Sequence, residues 1–153
     1  MRVMVIVKAS KDSEAGIMPS QKLLTDMGKF NEELVKAGVM LAGEGLHPSS
    51  KGKRVRFSGD KRTIIDGPFT ETKELIAGFC LIEVASRAEA EEWGWRCIAA
   101  DALGAGDPQT SGLLEIRPVP TADFFGDNYT EEAQHRNEVT FQKAAENLQN
   151  SST

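Results

Sequence analysis

Two apolar runs without polar alternation limit most strongly what this chain can fold into. The first is "VMVIV" at residues 3–7, and the second lies within "LIAGFCLIEV" at residues 75–84. A strand with one face in water alternates apolar and polar residues, whereas an unbroken apolar run is typical of a strand that is covered on both faces. The sequence therefore predicts a sheet with two buried faces.

Two amphipathic helices are predicted between the strands, from about Ser20 to Lys36 and from Ser86 to about Ala102. Ser20 is a suitable N-cap for the first helix, and Ser86 with Glu89 forms a capping box for the second. The first helix carries its apolar residues in one stripe, as expected for a helix that packs on a core. The stripe comprises Leu23, Met27, Phe30 and Leu34.

The order of the predicted elements indicates the fold class. It is strand, helix, strand, hairpin, strand, helix, strand, with the hairpin at residues 53–57 and 62–66. Two βαβ-like halves with antiparallel pairing predict an α+β fold, a ferredoxin-like sandwich whose antiparallel sheet carries two helices on one face. Because the other face is also apolar, we expect a homodimer that packs sheet on sheet.

The C-terminal part of the chain differs in composition from the rest. We expect residues 1–120 to form the ferredoxin-like domain and residues 121–153 to form an acidic extension with one helix, from Thr130 to about Leu148. The helix has a thin apolar stripe, so its stability depends on packing against its own domain or the dimer mate. A disordered acidic tail is the alternative.

The charge of the chain argues against nucleic acid as a partner. The net charge is −5, and nucleic-acid affinity depends on Lys and Arg side chains that neutralise phosphates. One basic cluster alternates with Val55 and Phe57, which predicts a half-exposed hairpin with its charges outward. The cluster is either a solvated edge that resists strand pairing or a rim that attracts anions. Its members are Lys51, Lys53, Arg54, Arg56, Lys61 and Arg62.

Other sequence features bear on compartment and cofactors. The apolar run near the N-terminus is too short for a signal peptide or a membrane span, so we expect a cytoplasmic protein without a membrane partner. Cys80 and Cys97 lie inside apolar elements and are interpreted as reduced, buried side chains. His47 and His135 are far apart and no cysteine cluster accompanies them, so neither a metal nor another cofactor is expected.

The stretch "IDGPFTETKE", residues 65–74, is longer and more polar than a turn between strands requires. Asp66 either makes the turn or acts as a general base at the mouth of a pocket. Lys73 is either a surface ion-pair partner or a group that faces an organic anion, and Glu71 shares its face in an extended segment. Phe69 is either a plug beneath the turn or a platform for a ligand.

The segment "GEGLHP" is the second candidate wall of a site. Gly43 and Gly45 permit close backbone approach, and Glu44 between them is either a second carboxylate of the site or a solvated side chain. His47 is the better acid/base candidate of the two histidines. In the strand that follows the hairpin, Gly78 leaves room for a group to approach.

Four stretches carry a resemblance to a known family: "GEGLHPSS", "IDGPFTETKE", "GFCLIEV" and "LEIRPV". Together they resemble the DGPF or YCII-related family of small bacterial proteins, over roughly residues 1–120. The resemblance implies a dimeric α/β-barrel of ferredoxin-like protomers with a pocket between sheet and helices. It also implies similarity in fold to muconolactone-isomerase-type enzymes and small monooxygenases, in a family whose own activity is largely unassigned.

The relatives after which the YCII family is named have a suspected His–Asp acid/base pair. In this chain the predicted helix from Ser20 to Lys36 holds no histidine, so that pair is not carried over.

Two classes of function agree with these features. The first is a cofactor-independent enzyme, isomerase- or lyase-like, that transfers protons on a small organic acid or lactone with Asp66, Lys73, Glu44 or His47 as working groups. The second is a non-catalytic module that binds a small ligand or another protein. The polar stretch after the hairpin favours the enzyme-like pocket, with a small organic anion as its ligand.

Overall fold

The structure, a computed structural model, describes residues 1–70, 74–105 and 112–151. Its strands are β1 (Arg2–Lys8), β2 (Met40–Gly45), β3 (Lys53–Ser58), β4 (Lys61–Asp66), β5 (Ile76–Glu83) and β6 (Leu114–Pro118). Its α-helices are α1 (Lys11–Glu14), α2 (Gln21–Lys36), α3 (Arg87–Ala105) and α4 (Glu131–Ser151). Short 3₁₀ helices lie at Ser49–Lys51 and Ala122–Asn128.

Four strands form one antiparallel sheet in the order β2-β5-β1-β6, and β3 pairs with β4 in a separate two-stranded sheet. The larger sheet consists of two strand–helix–strand units, β1–α2–β2 and β5–α3–β6. This is the arrangement of a ferredoxin-like fold. The predicted α+β fold class, with its C-terminal helix, is therefore confirmed.

Strand register divides the apolar residues between the two faces of the sheet. Val3 pairs with Ile82 and Val5 with Cys80, and residues directly opposite each other in a ladder share a face. These side chains pack with α2 and α3, which both lie on this face. The buried core comprises Val3, Val5, Phe30, Leu34, Val39, Ile82, Val84, Ala90 and Cys97.

The opposite side of the sheet, which we call the outer face, is also apolar at its centre. Met4 pairs with Leu81 and Ile6 with Phe79, and all four side chains are half-buried. The two central strands therefore carry apolar residues on both faces, as their unbroken runs predicted.

The α2 helix forms as its periodicity and caps predict. The Ser20 hydroxyl accepts a hydrogen bond from the backbone N–H of Leu23 at 3.1 Å, and Gly38 follows the helix with φ +70°, the left-handed conformation that favours glycine. Phe30 lies edge-on to Trp93 of α3 with ring centroids 6.2 Å apart. This contact helps to join the two helices over the sheet.

The α3 helix is capped slightly differently from the predicted capping box. The Ser86 hydroxyl accepts from the backbone N–H of Glu89 at 3.2 Å. The Glu89 carboxylate accepts from the N–H of Ala85 at 2.8 Å, one residue before the cap. Two N–H groups at the helix start are satisfied in either arrangement.

Two local features were not predicted from the sequence. Ser10 and Ser13 form a capping box after β1 and begin the short helix α1. The pairing of β2 with β5 is irregular between Met40 and Ala42, and β2 runs through Gly43 and ends at Gly45.

The hairpin extends one residue further on each strand than expected, to residues 53–58 and 61–66. Its apolar side chains are exposed along with its charged ones, with Val55 at 76% and Phe57 at 68%. Alternation shows which side chains share a face, but it does not show whether anything covers that face. The charges point outward as expected, but the hairpin is more exposed than the half-exposed one that was predicted.

Residues Pro120–Thr153 form a compact unit separate from Met1–Val119. In this unit α4 begins at the predicted place, where the Thr130 hydroxyl accepts from the N–H of Ala133 at 3.3 Å. Phe141 and Leu148 of its apolar stripe are 70% and 69% exposed. Among the described residues, no helix combines the length and apolarity that crossing a membrane requires.

Candidate functional site

The two walls predicted from the sequence meet at Ser49. The backbone N–H of Phe69 donates to the Ser49 hydroxyl at 3.1 Å, and the N–H of Gly67 donates to the carbonyl of Gly52 at 3.1 Å. A Cβ on Gly67 would lie 1.8 Å from the carbonyl oxygen of Ser49, which is far too close for two non-bonded heavy atoms. The Asp-Gly-Pro-Phe corner, residues 66–69, is thus packed directly against the segment after "GEGLHP".

Glu14 completes this cluster and was not found from the sequence. Its carboxylate accepts from the backbone N–H of Ser49 at 3.1 and 3.2 Å and from the Ser49 hydroxyl. Hydrogen bonds to an ionised carboxylate are stronger than neutral ones, and these are partly buried. A helix as short as α1 has no periodic signal, and the contact spans 35 residues of chain. Neither feature is visible in a local pattern.

Phe69 is half-buried, and Arg54 occupies one face of its ring. The guanidinium carbon lies 4.0 Å from the ring centroid, within the range of a cation–π contact. Phe69 therefore joins the corner to the hairpin. The prediction that it contacts a ligand stays a prediction.

Asp66 lies at the end of β4, where the strand register places it opposite Lys53 of β3. The two side chains form an ion pair, with 73% of the aspartate and 64% of the lysine side chain exposed. An exposed ion pair of this kind contributes about 0–1 kcal/mol to the stability of the fold. The Asp66 carboxylate is thus accessible to water.

Glu44 and His47 are both exposed, whereas the corner cluster of Glu14, Ser49, Gly67 and Phe69 is held together by partly buried hydrogen bonds. Glu44 sits opposite Phe79 on the outer face of the sheet. His47 follows β2 on the way to Ser49 and is exposed.

The remaining glycines of the predicted site have different surroundings. Gly45 pairs with Gly78, and a Cβ on Gly78 would lie 2.8 Å from the backbone oxygen of Glu44. The group that approaches Gly78 is therefore the neighbouring strand. A Cβ on Gly43 would lie 3.0 Å from the Met40 side chain, whereas one on Gly45 would meet nothing within 4 Å. The two other predicted residues, Glu71 and Lys73, lie outside the described residues.

The resemblance implies a pocket between sheet and helices, but the side chains that the structure describes there leave little space. This region contains a cavity of about 10 Å³, lined by Val5, Phe30, Leu34, Cys80, Ile82, Trp93 and Cys97. A cavity needs about 10–15 Å³ to hold one water molecule. There is no room here for a small organic acid.

Both cysteines line this cavity as free thiols. Burial raises the pKa of the Cys80 thiol. Burial, together with the nearby Asp101 and Cys80, raises the pKa of Cys97 to about 11. Because the thiolate is the nucleophilic form, neither side chain has the environment of a reactive cysteine.

A wider groove of about 520 Å³ lies between α2 and α3. It contains charges of both signs that pair with one another: Lys22 lies 2.5 Å from Asp26, and Arg96 pairs with Glu33. The hydrogen bond from Lys22 lowers the pKa of Asp26. The groove is lined by Lys22, Asp26, Lys29, Phe30, Glu33, Arg96, Ala99 and Ala100, none of which was predicted as a site residue.

Across the described ranges, no three His, Cys, Asp or Glu side chains are grouped so that they could hold a metal ion.

Comparison with known proteins assigns the chain to a family. Residues 1–123 match the YCII-related domain. An uncharacterized protein of Rhizobium meliloti (strain 1021) is 32% identical over 99 residues, which covers 65% of this chain and 74% of that protein. The family match over residues 1–123 spans the sheet, α2, α3 and the corner cluster. The chain therefore belongs to the YCII-related domain family.

Proposed function

We propose that this YCII-related protein is a non-catalytic binding module that works as a homodimer. The observation that carries the proposal is the close packing between sheet and helices, where the described side chains surround a cavity of about 10 Å³. An enzyme for small organic acids or lactones needs a concave site that holds most of its substrate, and ligand pockets are typically about 300–1,000 Å³. The groove between α2 and α3 has this size, about 520 Å³, but its charged side chains pair with one another.

The candidate acid/base groups support the same choice. A general base acts efficiently when it is held within reach of its substrate in a site that excludes water. Asp66 is 73% exposed and pairs with Lys53, and Glu44 and His47 are also exposed. These surroundings favour the binding module over proton-transfer chemistry.

The outer face of the sheet supports the homodimer. Its half-buried centre of Met4, Ile6, Phe79 and Leu81 is apolar, and contiguous apolar surfaces mark interaction sites. Beside this centre, Glu115 lies 3.1 Å from Lys8 and 3.5 Å from Arg117. A surface with an apolar centre and charges of both signs at its edge can pair with a copy of itself about a two-fold axis.

The test is sedimentation equilibrium of the wild type and of three single variants. Leu81→Lys places a charge at the centre of the outer face, and Ala42→Arg places one at an exposed position paired with Leu81. Val35→Lys is the matched control, because Val35 is 63% exposed on α2, away from the sheet. We expect the wild type and Val35→Lys to be dimers and both outer-face variants to be monomers, with unchanged circular dichroism.

A thermal-shift screen with small organic acids and lactones tests the enzyme alternative on the same samples. A ligand at about 100 times its dissociation constant stabilises a protein by about 2.7 kcal/mol. We expect no such shift. Stabilisation by one of these compounds, together with its turnover, would reverse the assignment even if the protein were a dimer.

A further inference from the structure

The hairpin of β3 and β4, residues 53–66, presents an apolar surface that neither the fold nor the proposed sheet interface explains. We call this hairpin the arm. Val55 pairs with Ile64 and Phe57 with Arg62, so the three apolar side chains share one face. Val55 is 76%, Phe57 68% and Ile64 66% exposed.

The other face of the arm is anchored to the domain. Arg54 lies over Phe69 of the corner, and Thr63 and Ile65 are half-buried. A two-stranded hairpin is at best marginally stable in water and normally packs one face against other structure. The anchored face carries one half-buried apolar side chain, Ile65, whereas the exposed face carries three large apolar side chains in the open, which is expected of an interaction surface.

The charge of the arm limits what can cover that surface. Five basic and two acidic residues give the arm a net charge of +3. Because the whole chain has a net charge of −5, the residues outside the arm together carry −8. Two arms packed against each other would bring together like charges, which is destabilising. The rest of a second copy is acidic and attracts the arm.

We infer that the apolar face of the arm packs on the acidic surface of a second copy of this chain, outside that copy's own arm. The arm connects β2 to β5, so it leaves the sheet at one end, from where it can reach a copy that sits on the outer face. The inference rests on the proposed homodimer and adds a second contact to it. In a two-fold dimer both arms make the same contact.

The experiment compares dimer dissociation constants by sedimentation equilibrium. The arm variant is Val55→Thr with Phe57→Ser, and both positions are so exposed that the fold of the monomer does not depend on them. The control is Leu24→Ser with Val35→Thr, which removes similar apolar surface from α2, where these residues are 58% and 63% exposed. We expect the arm variant to dissociate at least about tenfold more readily than the wild type, and the control to match the wild type.

Salt provides a second readout. Because attraction between exposed charges is screened, raising NaCl from about 50 mM to about 500 mM should weaken the wild-type dimer. The double variant Arg56→Gln with Arg62→Gln should show a smaller salt effect.

Each other outcome has a definite meaning. An arm variant that dimerises like the wild type, while Leu81→Lys is monomeric, overturns the arm contact and leaves the sheet-face dimer intact. A wild type that is monomeric overturns both. Binding to vesicles of phosphatidylcholine and phosphatidylserine that the arm variant loses, with an unchanged dimer, assigns the arm to a membrane surface and also overturns the inference.

Discussion

Ser49 is the residue on which the Asp-Gly-Pro-Phe corner depends. Its hydroxyl accepts from Phe69 and donates to Glu14, its N–H donates to the same carboxylate, and its carbonyl lies where a side chain on Gly67 would be. Three groups of one small residue thus connect three segments that are distant in sequence. This explains why the corner needs a glycine after Asp66 without invoking chemistry at that aspartate.

Gly67→Ala tests this structural role. Because the added Cβ would overlap Ser49, we expect the corner to shift and the free energy of unfolding to fall by about 1–3 kcal/mol in urea denaturation. Gly45→Ala is the control, since a Cβ there meets nothing within 4 Å, and we expect a change within about 0.5 kcal/mol. Equal effects at the two positions would show that the corner is not tightly packed.

The Cys97 thiol makes stability depend on pH in the alkaline range. The ordinary pKa of 9.0 is raised to about 11 in the folded state by burial. The folded state therefore keeps this proton where the unfolded state has lost it, so the stabilisation is complete below pH 9 and is lost as pH rises toward 11. A pKa shift of this size corresponds to about 2–3 kcal/mol in the free energy of unfolding.

Urea denaturation between about pH 8 and about pH 11 measures this loss. The comparison with Cys97→Ala isolates the thiol, because all other ionisable side chains are the same in both proteins. We expect the variant to be less stable at neutral pH but to lose less stability on going to high pH. Parallel curves would show that the thiol does not titrate abnormally.

At the scale of elements, periodicity and caps were sufficient for the long helices and the sheet. The apolar stripe of α2 and the N-caps of α2 and α3 are local features, so a short window of sequence shows them. The stripe runs from Leu23 to Leu34, and the caps are Ser20 and Ser86. The short helix α1 and its contact with Ser49 were not predictable, since four residues show no period. The exposure of Val55 and Phe57 depends on what lies opposite the hairpin, which no local pattern records.

The α3 cap gives a prediction for one element. Ser86→Ala removes the acceptor for the N–H of Glu89. We therefore expect the free energy of unfolding to fall by about 0.5–2 kcal/mol, measured by thermal unfolding. Glu91→Gln is the control on the same helix. Its exposed pair with Arg87 is an i,i+4 contact worth about 0.3–0.5 kcal/mol. A Ser86→Ala effect no larger than the control would mean that water replaces the cap.

For the whole molecule, the two apolar central strands are the feature with the widest consequences. They predicted a sheet covered on both faces, and the single chain covers one face with α2 and α3. The candidate site was less predictable than the fold: the sequence drew attention to the Asp-Gly-Pro-Phe corner and to "GEGLHP", but not to Ser49, Glu14 or the close packing of the interior. The Glu14 contact and the packing of the interior depend on residues that are distant in sequence. The choice between an enzyme and a binding module depends on the same long-range packing.

The most direct test of the sheet-face dimer is an isotope-filtered NOE experiment on a mixture of labelled and unlabelled protein. In the labelled protomer only the methionine methyl groups carry ¹³C, and the methyl group of Met4 lies at the centre of the outer face. We predict intermolecular NOEs from Met4 to aromatic protons of an unlabelled copy, since Phe79 lies on the same face, and their loss in Ala42→Arg. A dimer in which Met4 shows no intermolecular NOE, or a protein that stays monomeric at NMR concentrations, would contradict the proposal that a second copy covers this sheet.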